Sequence, residues 1–547
     1  MIDKKFVTID ESSLPVNWSV VTIGDITEYI QRGKSPKYIE NSGLPVINQK
    51  CIRWFGIQKE HLKYVDPDQW SKWAPERYVR EGDILWNSTG TGTIGRAAVI
   101  KHLAQNEKYV VDSHVTIVRP KEVEPLYVHY WIMSQSVQGC IEAMQSGSTN
   151  QVELSKAAVE ALLIPVAPPN QQKRIVAEIE KQFSRLDEAV ANLKRVKANL
   201  KRYKAAVLKA AVEGKLTEEW RQAHPDVEPA SKLLVRILIE RRTKWEQNEL
   251  ANMKAKGKVP KDEQWKKKYK VPKGPERFGY KIPYSWTLAT VQQVAGKVQY
   301  GSSSKTNQDN NGISVLRMGN IFEGELLLGV LKYLPEDHSE FPELLLKDND
   351  LLFNRTNSPE LVGKTAVYKG QPKLCSFASY LIRVQVLMGI ESKFISYYIN
   401  SMYGRKWIKS VVNQQVGQAN VNGTKLQALT IPIPPSEEQR KIVLEMQNRF
   451  SLVNGLERDL DADLRRAERL RQSILKKAFS GKLVSQFPND EPASVLLKQF
   501  EMKSETKASR SGRKPRRPKP VDYPKPGDQV LPFAAEKSEV YGKPHKP

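Results

Sequence analysis

Cysteine is scarce in this chain, and long hydrophobic runs are absent from it. The 547 residues contain three scattered cysteines, Cys51, Cys140 and Cys375, with no Cys-x-x-Cys pair. This argues against a disulfide framework or a structural zinc site and suits a reducing cytoplasm. The longest apolar runs, such as ALLIPVA at 161–167, are far shorter than the ~20 residues of a membrane-spanning helix. The polar start MIDKKFVTIDESS has no signal-peptide pattern, so we expect a cytoplasmic protein.

Catalytic and metal-binding arrangements are also missing. The seven histidines show no metal-ligand spacing, and there is no nucleophile elbow and no nuclease carboxylate–lysine set. One stretch, NSTGTGTIGRAAV at 87–99, has the glycine spacing of a dinucleotide-binding turn. The segment after it is too short and irregular for the helix that this motif requires. We therefore predict a non-catalytic chain that binds neither a metal nor a cofactor itself.

Positive charge is in excess, with 86 Lys and Arg against 61 Asp and Glu, a formal net charge of +25. Residues 251–281 hold 11 basic and 3 acidic residues, and residues 503–547 hold 12 and 5. Such a balance indicates polyanion binding, nucleic acid first, although both runs could be solvated segments. Trp265 and Tyr269 stand among the lysines of the first run, which could grip a DNA backbone or a partner subunit, or be a plain linker. We expect the tail to be disordered.

The sequence contains an internal repeat. LPVNWSVVTIGDI at 14–26 returns as IPYSWTLATVQQV at 282–294, and EGDILWN at 81–87 as DNDLLFN at 348–354. LIPVAPPNQQKRIV at 163–176 returns as TIPIPPSEEQRKIV, and LKAAVEGKL at 208–216 as LKKAFSGKL. The offset stays at 267–268 throughout. A period this long indicates duplication of a whole domain together with its appendage.

Each copy consists of a mixed α/β domain followed by one long helix. Apolar residues recur at steps of three or four from Ile175 to Val207 and from Ile442 to Ala478, the seam of a coiled coil. We predict two pseudo-symmetric α/β domains linked by two long helices that form an antiparallel coiled coil. The alternative is that each helix packs on its own domain or on a partner helix. The predicted segments are a first domain at 1–165, a helix at 166–216, a basic connector at 217–281, a second domain at 282–432, a helix at 433–484 and a C-terminal segment at 485–547.

The helix ends carry capping signals. Asn170 and Ser436 are suitable N-caps, and Ser436 with Gln439 three residues later matches a capping box. Gly214 and Gly481 are expected to end the helices as C-cap glycines.

These paired motifs, over about residues 14–500, resemble the specificity subunit of type I restriction–modification complexes. The resemblance implies that each domain is a target-recognition domain that reads one half of a split, asymmetric site in double-stranded DNA. It implies that the helices fix the spacer and dock two methyltransferase subunits, and that two restriction and translocase subunits complete the complex. S-adenosylmethionine, ATP and Mg would be held by those partners. The partner-binding residues would be Phe183, Arg185, Asp187 and Phe450.

Four loop pairs that recur in both copies are candidates for DNA contact. They are 31–38 with 299–306, 47–50 with 316–320, 87–99 with 354–360, and 146–151 with 416–421. Arg and Lys suit guanine or phosphate, and Asn and Gln suit adenine, although any one of them could be a structural loop residue. The candidate DNA-binding residues are Arg32, Lys34, Lys37, Gln49, Lys50, Thr89, Arg96, Asn150, Lys305, Arg317, Asn320, Arg355, Lys364, Gln418 and Asn420.

Two other interpretations fit the same composition. One is a basic, non-catalytic coiled-coil scaffold that binds nucleic acid outside restriction, for example structured RNA. The lack of a ribonucleoprotein aromatic motif argues against RNA. The other is the recognition half of a combined restriction–methylation enzyme whose catalytic part lies on another chain.

Overall fold

The computed structural model describes residues 6–90, 92–105, 107–146, 152–258, 260, 262–276, 278–415 and 418–499, with the backbone only at 413–415 and 418. The basic tail at 503–547 and Asn150 lie outside these described residues. The chain divides into two units. Unit 1 comprises the described residues of Met1–Phe183 and Arg471–Pro547, and unit 2 those of Ser184–Leu470.

Unit 1 is built around a four-stranded antiparallel sheet in the order β2-β11-β8-β9. A second sheet, β10-β4-β7-β3, covers one side of it. The strands are β1 Ser19–Thr22, β2 Thr27–Arg32, β3 Tyr38–Ile39, β4 Pro45–Ile47, β5 Ile52–Arg53, β6 Gly56–Ile57, β7 Lys63–Val65, β8 Ile84–Asn87, β9 Ala97–Val99, β10 Val110–Val111, β11 Val115–Pro120, β12 Gln145–Ser146, β13 Glu153–Leu154 and β14 Leu163–Val166. The helices are α1 Pro125–Met133, α2 Gln135–Gln138, α3 Ile141–Met144 and α4 Lys156–Glu160.

Unit 2 repeats this plan, with a central sheet in the order β16-β25-β21-β23. Its strands are β15 Thr287–Thr290, β16 Ala295–Tyr300, β17 Ile313–Leu316, β18 Ile321–Phe322, β19 Glu325–Leu326, β20 Lys332–Leu334, β21 Leu351–Asn354, β22 Thr356–Asn357, β23 Thr365–Val367, β24 Cys375–Phe377, β25 Leu381–Val386, β26 Asn413–Gln415, β27 Gln418–Asn420 and β28 Thr430–Ile433. The helices from the end of the first domain onward are α5 Pro169–Val212, α6 Glu218–Ala223, α7 Ala230–Ala255, α8 Val291–Val294, α9 Ser392–Asn400, α10 Met402–Val411, α11 Gly423–Ala428 and α12 Ser436–Phe479.

Both central sheets are buried on two faces, which explains why their strands read as continuous apolar runs. Along β8, Ile84 and Trp86 join one hydrophobic core and Leu85 joins another. Leu351 and Leu352 divide in the same way in unit 2. Because successive strand side chains point to opposite faces, each strand supplies both cores. The predicted mixed α/β fold of two repeated domains is confirmed.

The long helices α5 and α12 each contain 44 residues, or ~66 Å at 1.5 Å per residue. In unit 2, Lys197 pairs with Asp461 at 2.5 Å and Lys204 with Glu457 at 2.6 Å. Residue numbers rise along one helix as they fall along the other, so the helices are antiparallel, as predicted. Gly214 and Gly481 follow them with φ of +76° and +72°, the left-handed conformation of a C-cap glycine.

The predicted capping box is wrong. Ser436 is the first helical residue of α12, and the Gln439 side chain is buried in the domain core. Its Oε1 accepts from the Glu391 N–H at 2.8 Å, and its Nε2 donates to the Pro434 carbonyl at 2.9 Å. Gln172 makes the same two bonds in unit 1, to Glu124 and Ala167. This glutamine therefore ties each helix to its domain, and Asn170 lies within the first turn of α5.

The basic connector is largely structured. Ala230, Leu233 and Ile237 of α7 belong to the core of unit 2. Trp265 is 8% exposed and stacks on Trp245 with ring centroids 6.0 Å apart, and Tyr269 packs on the same indole at 5.3 Å. These rings anchor the lysine-rich segment to α7, so they are not free to stack on nucleic-acid bases.

One buried charge distinguishes the two copies. Glu438 is fully buried and bonds to Arg221, to the Thr217 hydroxyl and to the Trp286 indole N–H. In unit 1 the equivalent residue is the neutral Gln171, which accepts from the Trp18 indole N–H at 3.0 Å. Arg221 lies in α6, in the segment that follows the first long helix. The corresponding segment after the second long helix is four residues shorter.

We expect Arg221→Met to destabilise the protein by about 3–5 kcal/mol, because it leaves Glu438 charged, buried and without its cation. Arg221→Met combined with Glu438→Gln should recover most of this loss, since it reproduces the Trp18–Gln171 arrangement. Urea unfolding of both variants measures the difference. A double variant no more stable than the single one would contradict this explanation.

Candidate nucleic-acid interface

Loops from distant parts of unit 1 meet at one end of its central sheet. The Arg32 guanidinium donates to the Ser113 carbonyl and pairs with Glu153. Thr89 forms an isolated β-bridge with Glu153, and its hydroxyl is 2.5 Å from Nδ1 of His114. Thus the loops after β2, β8 and β10 and the strand β13 come together.

The 47–50 loop joins the same cluster through Gln49. Its Oε1 accepts from the Thr93 hydroxyl at 3.0 Å, and its backbone carbonyl accepts from the Asn87 side chain at 3.2 Å. Gly90 has φ of +97°, and a Cβ there would lie 2.1 Å from Gln49 Oε1. Gln49 therefore braces the 87–96 turn, where only glycine fits at position 90.

Unit 2 forms the equivalent cluster. The Arg355 N–H donates to the Tyr380 carbonyl, and its own carbonyl accepts from the Val421 N–H, both at 2.9 Å. Thr356 pairs with Asn420 between β22 and β27, and the Asn420 amide donates to the Thr356 hydroxyl at 2.9 Å. Ser302 in the 299–306 loop accepts from the Ser379 N–H at 2.7 Å. The backbone of Gln418 belongs to this cluster, whereas its side chain lies outside the described residues.

The 87–99 stretch is a β-hairpin, which excludes the dinucleotide-binding interpretation. β8 and β9 pair antiparallel, with Trp86 opposite Ala97, so a strand stands where the nucleotide motif requires a helix. The Gly95 N–H donates to the Asn87 carbonyl, and in unit 2 the Gly363 N–H donates to that of Asn354. The same turn frame thus holds a different tip in each unit. Within the described residues, no three or more His, Cys, Asp or Glu side chains are grouped to hold a metal ion.

Several predicted DNA readers have partners inside the protein. Asn320 is 5% exposed, and its amide spans the loop by donating to the carbonyls of Leu327 and Val330 and accepting from the Arg317 N–H. It is therefore a structural residue rather than a base reader, a correction to the prediction. Lys37 pairs with Asp66 at 2.8 Å, which raises the pKa of its ammonium and keeps it charged. Lys34 donates to the Lys72 carbonyl at 3.1 Å from an exposed position.

Other predicted readers remain at the surface. Lys50 and Lys305 are exposed, and Arg96, Arg317 and Lys364 are partly exposed. The Lys364 ammonium lies 5.8 Å from the centre of the Phe322 ring, and Arg96 makes a long 3.5 Å contact with the Gly92 carbonyl. These side chains are available for phosphate or base contact, and their DNA roles stay predictions.

The guanidinium of Arg355, in the unit 2 cluster, is held in place by contacts inside the protein. Its guanidinium stacks on Tyr300 with 4.8 Å between the guanidinium carbon and the ring centre, and Nη1 donates to the Ser379 carbonyl at 3.4 Å. The Tyr300 hydroxyl in turn accepts from the Gly423 N–H at 2.7 Å. A planar cation held against a ring loses less side-chain entropy when it binds a base edge or a phosphate.

Sequence reasoning missed two parts of the clusters. The first is the Ser113–His114 turn, repeated as Ser379–Tyr380, to which the nominated loops attach. The repeat offset could have revealed it, because Ser113 and Ser379 are 266 residues apart. The second is Arg405, which donates to the carbonyls of Glu360 and Val362 and so pins the tip of the unit 2 hairpin.

Two predicted partner-binding residues pack on domain cores. Phe183 is 4% exposed and packs edge-on against Tyr130 at 5.7 Å, and Phe450 packs in the same way against Tyr397 at 6.0 Å. Because Phe183 is buried in this way, the prediction that it faces a partner subunit is wrong. Phe450 is only partly buried, and its partner-binding role stays a prediction. Arg185 and Asp187 are exposed on α5, and their role stays a prediction.

The two repeated loop clusters, each with exposed or partly exposed cations, are what duplicated recognition domains would present to a polyanion. A family model described as "Type I restriction modification DNA specificity domain" matches residues 15–202 and 283–465, about two thirds of the chain. The chain therefore belongs to this family. Its role is to determine DNA sequence specificity in a type I restriction–modification system, and that role is non-catalytic.

Individual relatives agree. The chain is 22% identical to the StySPI specificity subunit of Salmonella potsdam, over 88% of this chain and 93% of the relative. It is 24% identical to the EcoKI specificity subunit of Escherichia coli, over 88% and 92%. A chain of a solved structure, described as concerning the assembly and conformational transition of the type I R-M system, has a similar fold. Its TM-score is 0.57 at 18% identity, over 86% of this chain and 99% of that one. A scaffold outside restriction is not favoured.

The repeated glycines Gly33 and Gly301 set the geometry of both clusters. A Cβ at Gly33 would lie 2.1 Å from the Val111 carbonyl oxygen, and one at Gly301 would lie 2.2 Å from that of Phe377. We expect Gly33→Ala and Gly301→Ala each to cost about 1–3 kcal/mol, because the neighbouring backbone must move. Thermal unfolding measures this cost. Gly319→Ala, where a Cβ meets no atom within 4 Å, is the control, and an equal loss there would contradict the explanation.

We expect Arg355→Ala to weaken binding to the target DNA by about 1–3 kcal/mol and to relax specificity at one position, because a bidentate side chain discriminates bases by that amount. Arg355→Lys should rescue little, since it lacks the planar fork. Fluorescence anisotropy with single-base variants of the target measures both effects. Arg236→Ala on α7, whose side chain is 62% exposed, is the control. Unchanged discrimination in Arg355→Ala would rule out this role.

Proposed function

We propose that each unit reads one half of a split, asymmetric site in double-stranded DNA, through its own loop cluster. The observation that carries the proposal is the repetition of the cluster with a constant frame and variable tips. Asn87 and Asn354 are buried at the base of the hairpins, and Gly95 and Gly363 close them. Thr89 and Thr356 also recur, whereas the tip residues that follow them differ, as expected of two modules that face different bases.

The electrostatics support binding to DNA. The chain carries a formal net charge of +25, and cations on both clusters are exposed. Lysine and arginine contacts to phosphate supply affinity that depends on salt, while hydrogen bonds to base edges supply specificity. The proposed readers that remain at the surface are Lys50, Arg96, Lys305, Arg317, Arg355 and Lys364.

We infer that α5 and α12 set the spacer between the half-sites and present the docking surface for two methyltransferase subunits. In unit 2 several apolar side chains of the coil are 42–68% exposed. Large apolar side chains that are exposed on a surface are typical of a protein–protein interface. They are Val196, Tyr203, Leu452 and Leu456.

We propose the subunit composition of the complete assembly from the membership of the chain in this family. Two methyltransferase subunits would carry S-adenosylmethionine and methylate adenine, and two restriction subunits would use ATP and Mg to translocate and cleave DNA. The names of the relatives, which are specificity subunits of restriction enzymes, support this assignment. No helix of the described part of the chain could span a membrane, and we propose that the complex works in the cytoplasm.

Co-expression of the chain with the methyltransferase subunit encoded beside it, followed by genome-wide mapping of N6-methyladenine, tests the proposal. We expect one bipartite motif with a fixed, non-specific spacer. Replacing residues 14–165 with the corresponding domain of another such protein should change one half of the motif and leave the other half alone. A continuous palindromic motif, or methylation independent of this chain, would refute it.

A further inference from the structure

One turn in each unit lies at the centre of its loop cluster. These central turns are Ser113–His114, which leads into β11, and Ser379–Tyr380, which leads into β25. Both strands are hydrogen-bonded to a neighbouring strand on each side, β11 to β2 and β8, and β25 to β16 and β21. The interior of the central sheet therefore fixes the frame of each turn.

Three segments attach to each central turn and to the two residues before it, through backbone hydrogen bonds of 2.8–3.3 Å. They are the loops after β2 and β8 and the end of β4 in unit 1, and the loops after β16 and β21 and the end of β17 in unit 2. The bonds of unit 1, each from an N–H to a carbonyl oxygen, join Lys34 to Val111, Asp112 to Ile47 and Ser88 to His114. The corresponding bonds of unit 2 join Ser302 to Phe377, Ala378 to Leu316 and Arg355 to Tyr380. The central turn thus lies between the same three segments in both units.

Side-chain contacts hold each turn further. The Ser113 carbonyl accepts from the Arg32 guanidinium, and the Ser379 carbonyl accepts from Nη1 of Arg355 at 3.4 Å. The two arginines come from different positions of the repeat, yet they bind the equivalent carbonyl. A side chain on a backbone that is already ordered loses less conformational entropy when it binds a partner.

Each central turn presents one ring at the surface. His114 is exposed and Tyr380 is 49% exposed, and they stand 266 residues apart, at the same position of the repeat. Nδ1 of His114 lies 2.5 Å from the Thr89 hydroxyl. Among the described residues, neither Nε2 of His114 nor the Tyr380 hydroxyl makes a hydrogen bond. Each ring therefore carries a polar atom that is available to a partner.

The two rings share a position and differ in chemistry. A ring nitrogen of histidine and a phenol hydroxyl can each form a hydrogen bond, and the hydroxyl lies farther from its own backbone. In the major groove of DNA, the donors and acceptors of a base edge identify the base pair. Different rings on one frame therefore suit different bases, as two unlike half-sites require.

We propose that His114 and Tyr380 are specificity-determining residues, each of which reads one base pair of its own half-site. The contact is a hydrogen bond between a base edge and the ring, through Nε2 of His114 or the hydroxyl of Tyr380. This inference rests on the function proposed for the loop clusters and assigns the reading of one base pair in each half-site to a named atom.

The test measures binding of the full chain to its mapped DNA site, and to sites with each single base-pair change, by fluorescence anisotropy. Tyr380→Phe removes one exposed oxygen and should reduce discrimination about fivefold at one position, the contribution of one hydrogen bond. His114→Ala should do the same at one position of the other half-site. Unchanged discrimination at every position in both variants would overturn the proposal. Uniformly weaker binding with unchanged discrimination would reveal a phosphate or sugar contact and would overturn it too.

Matched controls are available in both units. Tyr284→Phe alters a tyrosine that is 84% exposed in unit 2. His102→Ala alters a histidine whose side chain is 94% exposed, in the loop after β9 in unit 1. Both controls should discriminate as the unaltered chain does, and an equal loss in either would contradict the assignment. If the lost Thr89 contact destabilises His114→Ala in thermal unfolding, Tyr380→Phe decides the test.

The exchange of residues 14–165 separates this inference from the proposed function. If the exchange changes one half of the methylated motif while the two ring variants leave discrimination intact, the clusters read DNA without these rings. That result overturns the inference alone. If the exchange leaves both halves unchanged, the proposed function fails and the inference fails with it.

Discussion

The burial of helix ends in domain cores is the constraint on which the rest of this structure depends. In unit 1 the first turns of α5, with Ile175 and Ile179, share a core with Ile474 and Phe479 from the last turns of α12. In unit 2 the opposite ends meet, because Val207 and Ala211 of α5 pack with Ile442 and Met446 of α12. Burying each of these isoleucine, valine, methionine and phenylalanine side chains contributes roughly 1.5–3 kcal/mol. Each core therefore needs two segments far apart in sequence, and only an antiparallel pair of helices supplies both.

The loop clusters are held in place because the strands that carry them are anchored in these cores. The buried ion pairs Asp83–Arg119 and Asp350–Arg383 lie at the strands that carry the hairpins, and their side chains are at most 8% exposed. Burial raises the pKa of both aspartates, while the paired arginines favour the charged form. With the hairpin bases held in this way, the tips can differ between the units without loss of the fold. Recognition can thus diverge between the two halves while the frame stays the same.

Much of the fold could be predicted from the sequence, because the internal repeat indicates two domains of the same fold. The apolar residues of the two long helices also recur at regular steps of three or four. The mixed domains, the antiparallel helices and the C-cap glycines Gly214 and Gly481 follow from pattern alone. The candidate loops could also be chosen from the repeat, since they occupy the same positions in both copies, whereas their convergence is visible only in the structure. The predictable features depend on periodicity and on local backbone chemistry, which a sequence displays directly.

Individual side chains were less predictable, because a sequence does not show what each one contacts. Asn320 and Gln439 have the polar groups of a base reader and a helix cap, yet both are buried and bonded to distant backbone groups. Phe183 stands in a motif typical of a partner-binding helix, yet its ring packs against Tyr130.

We propose that α5 and α12 set the spacer between the two half-sites, and a length change in this helix pair tests that proposal most directly. Inserting one heptad in α5 and one in α12 keeps the apolar seam in register and lengthens the pair by ~10 Å. At ~3.4 Å per base pair, the methylated motif should gain a spacer longer by up to about three base pairs, with both half-sites unchanged. An unchanged spacer, or altered half-sites, in the methylation map would contradict the account.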